Sequence, residues 1–130
     1  MTVDLSVTIG SIALPNPVMV ASGTAGHSTE LSAYLDLPAL GAFVVKSLSA
    51  DPWEGNPGPR VHQTPAGMIN SVGLQGPGVA AWLGGGLAAL RRLGVERIVV
   101  SIWGRTVDEY RRGARMLAEA AGLVIAVEVN

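Results

Sequence analysis

Four short apolar runs, each delivering a polar residue at its carboxyl end, constrain the fold of this chain more than any other feature of its sequence. They are Val18–Ala21 before Ser22, Ala42–Val45 before Lys46 and Ser47, Arg97–Ile102 with Ser101 near its end, and Leu123–Val129 before Asn130. Continuous apolar runs of this length suit strands covered on both faces, as in parallel sheets. Parallel neighbours need crossover connections, and three helices are expected in them. The first is Thr29 to Asp36, capped by Ser28, with Glu30 in its first turn and Gly41 as its stop. The second, Val79 to Leu93, carries apolar residues at Val79, Trp82, Leu83, Leu87 and Leu90. Its glycines Gly84, Gly85 and Gly86 each weaken it by roughly 1 kcal/mol relative to alanine. The third, Thr106 to Ala121, places Val107, Tyr110, Ala114, Leu117 and Ala121 on one side and ends at Gly122. A small hairpin, Leu5–Ile9 with Ile12–Leu14, precedes the first run. The stretch from Ser47 to Gly78 reads as one long Pro-, Gly- and Asn-rich loop, a length that compact domains usually reserve for function.

Strands alternating with helices imply an α/β fold with right-handed parallel crossovers. An open doubly wound sheet and a barrel share this pattern. The glycine fingerprint of dinucleotide-binding sheets is absent, because Gly84 to Gly86 lies inside a helical pattern and not between a strand and a helix start. That favours a TIM (β/α)8 barrel. A complete one needs roughly 250 residues, so the 130 residues here are expected to form its N-terminal half, residues 1–130 being the first part of a single truncated barrel domain.

Composition narrows the partners. Nine basic and ten acidic residues give a net charge of -1, which leaves no footprint for nucleic acid. There is no cysteine, so disulfides, thiolate metal sites and a cysteine nucleophile are all excluded within these residues. The two isolated histidines, His27 and His62, make no metal constellation. No cationic leader opens the chain and no apolar run approaches the roughly 20 residues of a spanning helix, so a cytoplasmic protein is expected.

Barrel sites form where strands deliver their carboxyl ends, which makes Ser22, Lys46, Ser47, Ser101 and Asn130 the candidates. Lys46 reads in two ways: a fixed cation stabilising negative charge on a ligand, or a side chain snorkelling from a strand end into solvent. The polar loop beside it weighs the two about evenly. Asn130 taken alone reads as a terminal residue without a role. The segment Thr64 to Gln75 mixes glycines, small residues and the Asn70 amide, a composition that suits either close backbone approach to an anion or ordinary turns.

Taken together, Asn16-Pro17-Val18-Met19-Val20-Ala21-Ser22-Gly23, then Val45-Lys46-Ser47, then Gly55-Asn56-Pro57-Gly58-Pro59-Arg60-Val61 and Pro65-Ala66-Gly67-Met68-Ile69-Asn70-Ser71-Val72-Gly73-Leu74-Gln75 resemble the N-terminal half of a class 1 dihydroorotate dehydrogenase, most of all the class 1B catalytic subunit. The resemblance covers essentially the whole chain. It implies an FMN-containing barrel that oxidises dihydroorotate to orotate in pyrimidine biosynthesis, a base taking the C5 proton while hydride leaves C6 for the flavin. It further implies that Ser22, Lys46, Ser47, Ser101 and Asn130 contact FMN. Lys46, Asn70, Ser71, Val72, Gly73, Leu74 and Asn130 would hold the substrate, with the Asn70 amide on the pyrimidine and backbone N–H groups near Gly73 and Leu74 on its carboxylate. Two positions depart from the resembled pattern, Ser101 and Gly76, both asparagine there. The family's catalytic base lies beyond the position of Asn130, so no catalytic residue is expected within the chain and the piece is expected to lack turnover. An FAD and iron–sulfur electron-transfer subunit and a homo-oligomeric state are implied as well. Two other readings are a flavin barrel resembling tRNA-dihydrouridine synthases and a non-catalytic half-barrel that binds a partner.

Overall fold

The computed structural model describes residues 3–130. Its first elements, β1 (Val7–Ile9) and β2 (Ile12–Leu14), pair antiparallel with Ile9 opposite Ile12, so the expected hairpin is present. Gly10 turns it with a φ of 60°, a left-handed conformation that glycine adopts without strain. The strands β3 (Met19–Val20) and β4 (Ala42–Leu48) follow. A second hairpin, β5 (Val61–Thr64) and β6 (Gly67–Asn70), rises from the stretch expected to be a single loop.

Beyond it, α1 (Val79–Ala81) and α2 (Leu87–Arg92) are joined without a break by the wider π-helical stretch Trp82–Gly86. Then come β7 (Ile98–Ile102), α3 (Val107–Leu117) and β8 (Ala126–Val129).

The four apolar runs form one parallel sheet in the order β3-β4-β7-β8, with Val20 beside Phe43, Val45 beside Val100, and Val100 beside Val127. Phe43, Val45, Ile98 and Val100 are fully buried, and Trp82, Leu90 and Leu117 pack in the same core from the helices. Beneath the sheet the hairpin residues Ile9, Ile12 and Leu14 face Met19, Ala42, Val99 and Ile125 around an apolar cavity of about 170 Å³. The result is a β/α arrangement that forms part of a barrel.

Three expectations are corrected. Residues 29–36 form successive turns and no helix, followed by the 3-10 turn Leu37–Ala39. A short helix needs an apolar stripe to bury, whereas Tyr34 and Leu35 are exposed and Leu31 is only partly covered. Ser28 does not cap this segment; its hydroxyl donates to the Gly86 carbonyl at 3.2 Å. Within the second helix the glycines do not merely weaken an α-helix, since Trp82–Gly86 is wound as a π segment. A Cβ at Gly86 would lie 2.5 Å from the Trp82 ring, so glycine there lets the indole fold over the turn. Finally, α3 starts as expected, with the Thr106 side chain accepting from the Glu109 N–H at 3.2 Å. Its buried face, however, runs through Gly113, Leu117 and Ala120, while Val107 and Ala114 face solvent.

Candidate functional site at the carboxyl edge of the sheet

The register of β4 against β7 sets the site. Val45 pairs with Val100 and Leu48 with Ile102, so one extra residue is accommodated on β4 between Lys46 and Leu48. A bulge of this kind re-aims side chains, and here it leaves Lys46 half-buried beside the buried Ser47. The Ser47 and Ser101 hydroxyls lie 2.8 Å apart, and the Asn130 amide donates to Ser47 Oγ at 3.0 Å. Asn130 is itself held by its backbone N–H, which donates to the Ile102 carbonyl at 3.0 Å, and by the Tyr110 hydroxyl, which donates to its carbonyl. Three adjacent strand ends are thus tied by one short hydrogen-bonded chain.

The Lys46 backbone N–H donates to the Gly26 carbonyl at 3.0 Å, which binds β4 to the loop after β3. Its ammonium reaches within 3.8 Å of where a Cβ at Gly23 would stand. Among the described residues the ion pairs are Arg111 with Asp108 and Arg112 with Asp51, so Lys46 has no carboxylate partner. Ser22 is half-buried in the same loop. Lys46 lines a cavity of about 590 Å³ whose walls include His27, Trp53, Val72, Gln75 and Gly76. Trp53 is a braced wall, edge-on to Trp103 with ring centres 6.3 Å apart and under the Arg105 guanidinium at 3.9 Å.

The segment 70–76 is held in place by the strand of loop that precedes β5. Trp53 and Gly76 exchange both backbone hydrogen bonds at 2.9 Å, and the Trp53 indole donates to the Gly73 carbonyl at 2.8 Å. The Asn56 backbone N–H donates to the Val72 carbonyl at 3.1 Å, and its amide donates to the Ser71 hydroxyl at 2.8 Å. Arg60 clasps the Glu54 and Asn56 carbonyls and the Gln75 amide. Gly73 and Leu74 are left-handed, with φ of 76° and 58°. Their N–H groups donate to no acceptor among the described residues.

The structure therefore brings Ser47, Ser101 and Asn130 into one set and puts Lys46 and Val72 in one cavity. Asn70 and Ser71 line a second depression of about 380 Å³ with Arg60 and His62. His27 is the residue that sequence reasoning passed over, having been weighed only as a metal ligand. Its carbonyl accepts from the Trp82 indole at 2.8 Å and its N–H donates to Glu30 at 2.9 Å. Its Nε2 is buried without a hydrogen-bond partner among the described residues. Burial holds the imidazole below its ordinary range; the Glu30 charge opposes this and the Lys46 charge adds to it. For Glu30, partial burial favours the neutral acid, but the N–H groups of His27, Glu30 and Ser28 prevail and keep the carboxyl below its ordinary range. No cluster of three or more His, Cys, Asp or Glu suited to a metal occurs among the described residues. No described helix is long and apolar enough to cross a membrane.

A parallel β/α sheet with hydroxyl, amide and ammonium groups gathered at the carboxyl ends of its strands defines the class of β/α-barrel proteins, in which that edge carries the site. Comparison with known proteins identifies the family. The family model "Dihydroorotate dehydrogenase" matches residues 4–130, and the chain belongs to that family. It is 50% identical over 130 residues to the dihydroorotate dehydrogenase B (NAD(+)) catalytic subunit of Desulforudis audaxviator, covering 100% of this chain and 42% of that protein. It is 49% identical over 114 residues to the protein of the same description from Thermoanaerobacter pseudethanolicus, covering 88% of this chain and 37% of the relative. The chain thus spans about two fifths of the length of these relatives. Among solved structures, the Eimeria tenella dihydroorotate dehydrogenase in complex with ferulenol superposes with a TM-score of 0.50 at 16% identity, over 89% of this chain and 44% of that one. At that identity the likeness concerns the fold.

Proposed function

We propose that this chain is the N-terminal part of a single (β/α)8 barrel domain that binds FMN and oxidises dihydroorotate to orotate in pyrimidine biosynthesis. The observation that carries the reading is the Asn130–Ser47–Ser101 hydrogen-bonded chain beside an ammonium with no carboxylate partner. This donor set fits a flavin: buried hydroxyls and an amide match the alternating donors and acceptors of its ring edge, and among the described residues the Lys46 ammonium is the one group that a Cβ at Gly23 would meet, at 3.8 Å. FMN, when bound, supplies the acceptor for the hydride that leaves the substrate.

The residues bind and orient. Ser22, Ser47, Ser101 and Asn130 would hold the ring, and Ser101, where the resembled pattern has asparagine, still offers one donor and an acceptor. Lys46 would stabilise negative charge on cofactor and substrate alike, an effect strengthened where water is excluded. Asn70, Ser71, Val72, Gly73 and Leu74 would hold the substrate. The uncommitted N–H groups of Gly73 and Leu74 support a carboxylate there. No proton-removing role is assigned to any residue of this chain. The relatives are named catalytic subunits, which supports a partner subunit, assigned here as the FAD and iron–sulfur electron-transfer subunit, alongside a homo-oligomeric catalytic subunit in the cytoplasm.

Calorimetric titration of the chain with FMN tests the reading. Saturable binding that weakens about tenfold in Lys46→Met is expected, the loss of a charge-assisted contact. If FMN fails to bind, or binds both proteins alike, the reading is wrong.

A further inference from the structure

The Gly73 and Leu74 N–H groups take their direction from the segment that runs beside them. The Val72 carbonyl accepts from the Asn56 N–H at 3.1 Å, and the Gly73 carbonyl accepts from the Trp53 indole at 2.8 Å. Each carbonyl shares a planar trans peptide with the N–H that follows it, and the two point in opposite directions. Pinning both carbonyls onto residues 53–56 therefore turns the Gly73 and Leu74 N–H groups to the far side, where neither meets an acceptor among the described residues. Leu74 has a φ of 58°, a left-handed conformation that is costly for leucine and persists only where surrounding contacts enforce it. Trp53 supplies those contacts. Its backbone also exchanges two hydrogen bonds with Gly76 at 2.9 Å, so it grips the turn on both sides of Leu74. Its ring is fixed in turn, edge-on to Trp103 at 6.3 Å and under the Arg105 guanidinium at 3.9 Å.

We infer that Trp53 is a positioning residue for the substrate carboxylate: its indole N–H orients the peptide between Gly73 and Leu74 so that the Leu74 N–H is aimed at the anion before it arrives. The inference rests on the proposed function, which gives that carboxylate to the Gly73 and Leu74 N–H groups. A donor oriented in advance lowers the ordering cost that binding would otherwise carry. Trp103 follows β7 and Arg105 precedes α3, so the brace ties the substrate segment to the third strand of the sheet.

Proton–nitrogen correlation NMR of the full chain, titrated with orotate, provides the test. In the wild-type chain the Gly73 and Leu74 amide protons should both move downfield at saturation, as donors to a carboxylate do. Trp53→Phe keeps a ring for Arg105 and Trp103 but lacks the N–H, and should weaken orotate about tenfold. At saturation its Leu74 shift should shrink while that of Gly73, pinned by Asn56, stays. Arg105→Met keeps the indole and removes its cation cover, and should move both readouts the same way, with about a threefold loss of affinity. If the Leu74 shift in Trp53→Phe matches the wild type, whatever the affinity, Trp53 does not position that peptide and the proposed function stands. If the Asn70, Gly73 and Leu74 shifts shrink alike, the loop has loosened generally and the inference is overturned. If the wild-type chain takes up no orotate, or binds it without moving either amide, the carboxylate assignment falls and the inference with it. Thermal unfolding checks the fold of each variant; should Trp53→Phe not fold, Arg105→Met decides by the same two readouts.

Discussion

Removing the hydroxyl of Ser101 tests whether the strand-end chain is a coupled unit. Ser101 is fully buried and Ser47 is 4% exposed, with their oxygens 2.8 Å apart. Either can donate, and Ser47 also receives the Asn130 amide at 3.0 Å. In Ser101→Ala, Ser47 keeps Asn130 but loses its serine partner. A buried hydroxyl contact is worth on the order of 1 kcal/mol net, and an orphaned group costs about 1–3 kcal/mol. We expect Ser101→Ala to destabilise by about 1–2 kcal/mol and Ser47→Ala by somewhat more, since Ser47 serves two partners. The double variant should cost less than the two single costs combined, by about 1 kcal/mol, because the shared contact can be lost only once. Urea denaturation followed by circular dichroism supplies the four free energies. Additivity within about 0.4 kcal/mol would refute the reasoning and reduce the pair to a close approach without energetic meaning.

Three further outcomes follow from the same geometry. The depressed His27 pKa means that the unfolded chain binds the proton more readily than the folded one. This contribution to stability is fully present above the unfolded value of about 6.5 and is lost as pH falls through the lower folded value; urea midpoints measured against pH should fall in that window, and His27→Phe should flatten the fall. Arg97 donates to the carbonyls of Pro38, Leu40 and Gly41 at 2.8, 3.1 and 2.9 Å, closing the end of the first crossover onto β7. Arg97→Met should lower stability by about 2–3 kcal/mol, and an unchanged urea midpoint would show those bonds to be dispensable. Gly73→Ala demands a left-handed alanine whose Cβ would meet the Asn56 nitrogen at 2.7 Å; proteolysis should cut the 53–76 loop pair faster in this variant, and equal rates would contradict the tight packing described.

The sheet was legible because each apolar run carries its own signal: Ala42–Val45 and Ile98–Val100 are continuous and β-rich, and the structure pairs them. The turns at 29–36 were not legible. Ser28 and Glu30 look like a helix start, but their groups are used elsewhere, Ser28 on Gly86 and Glu30 on the N–H groups of His27 and Ser28. Nothing local predicts that a serine will prefer a carbonyl 58 positions away. The β5–β6 hairpin was hidden for a different reason. Its residues Val61, Met68 and Ile69 are exposed, so no alternation of buried and exposed positions marks the strands, and only the register Val61 to Asn70 reveals them.

The site divides along the same line. Residues at strand ends could be picked out in advance as candidates, since parallel strands deliver Ser47, Ser101 and Asn130 to one edge, although Asn130 by itself reads as a terminal residue without a role. Residues whose role depends on a contact across loops could not. A bulge that turns Lys46 beside a buried Ser47 is a mismatch between two strands and has no counterpart in either one. The meeting of His27 with Gly76 joins segments 49 positions apart, and it is visible only as the close approach that a missing side chain permits, since a Cβ at position 76 would stand 3.1 Å from Nε2. A glycine read along the chain suggests a turn; read against its neighbour in space, it marks a close approach of backbone to ring. Gly76→Ala should therefore lower the urea midpoint by forcing the loop off the ring; an unchanged midpoint would show that the approach is loose and that the contacts fixing this edge are those the strands deliver.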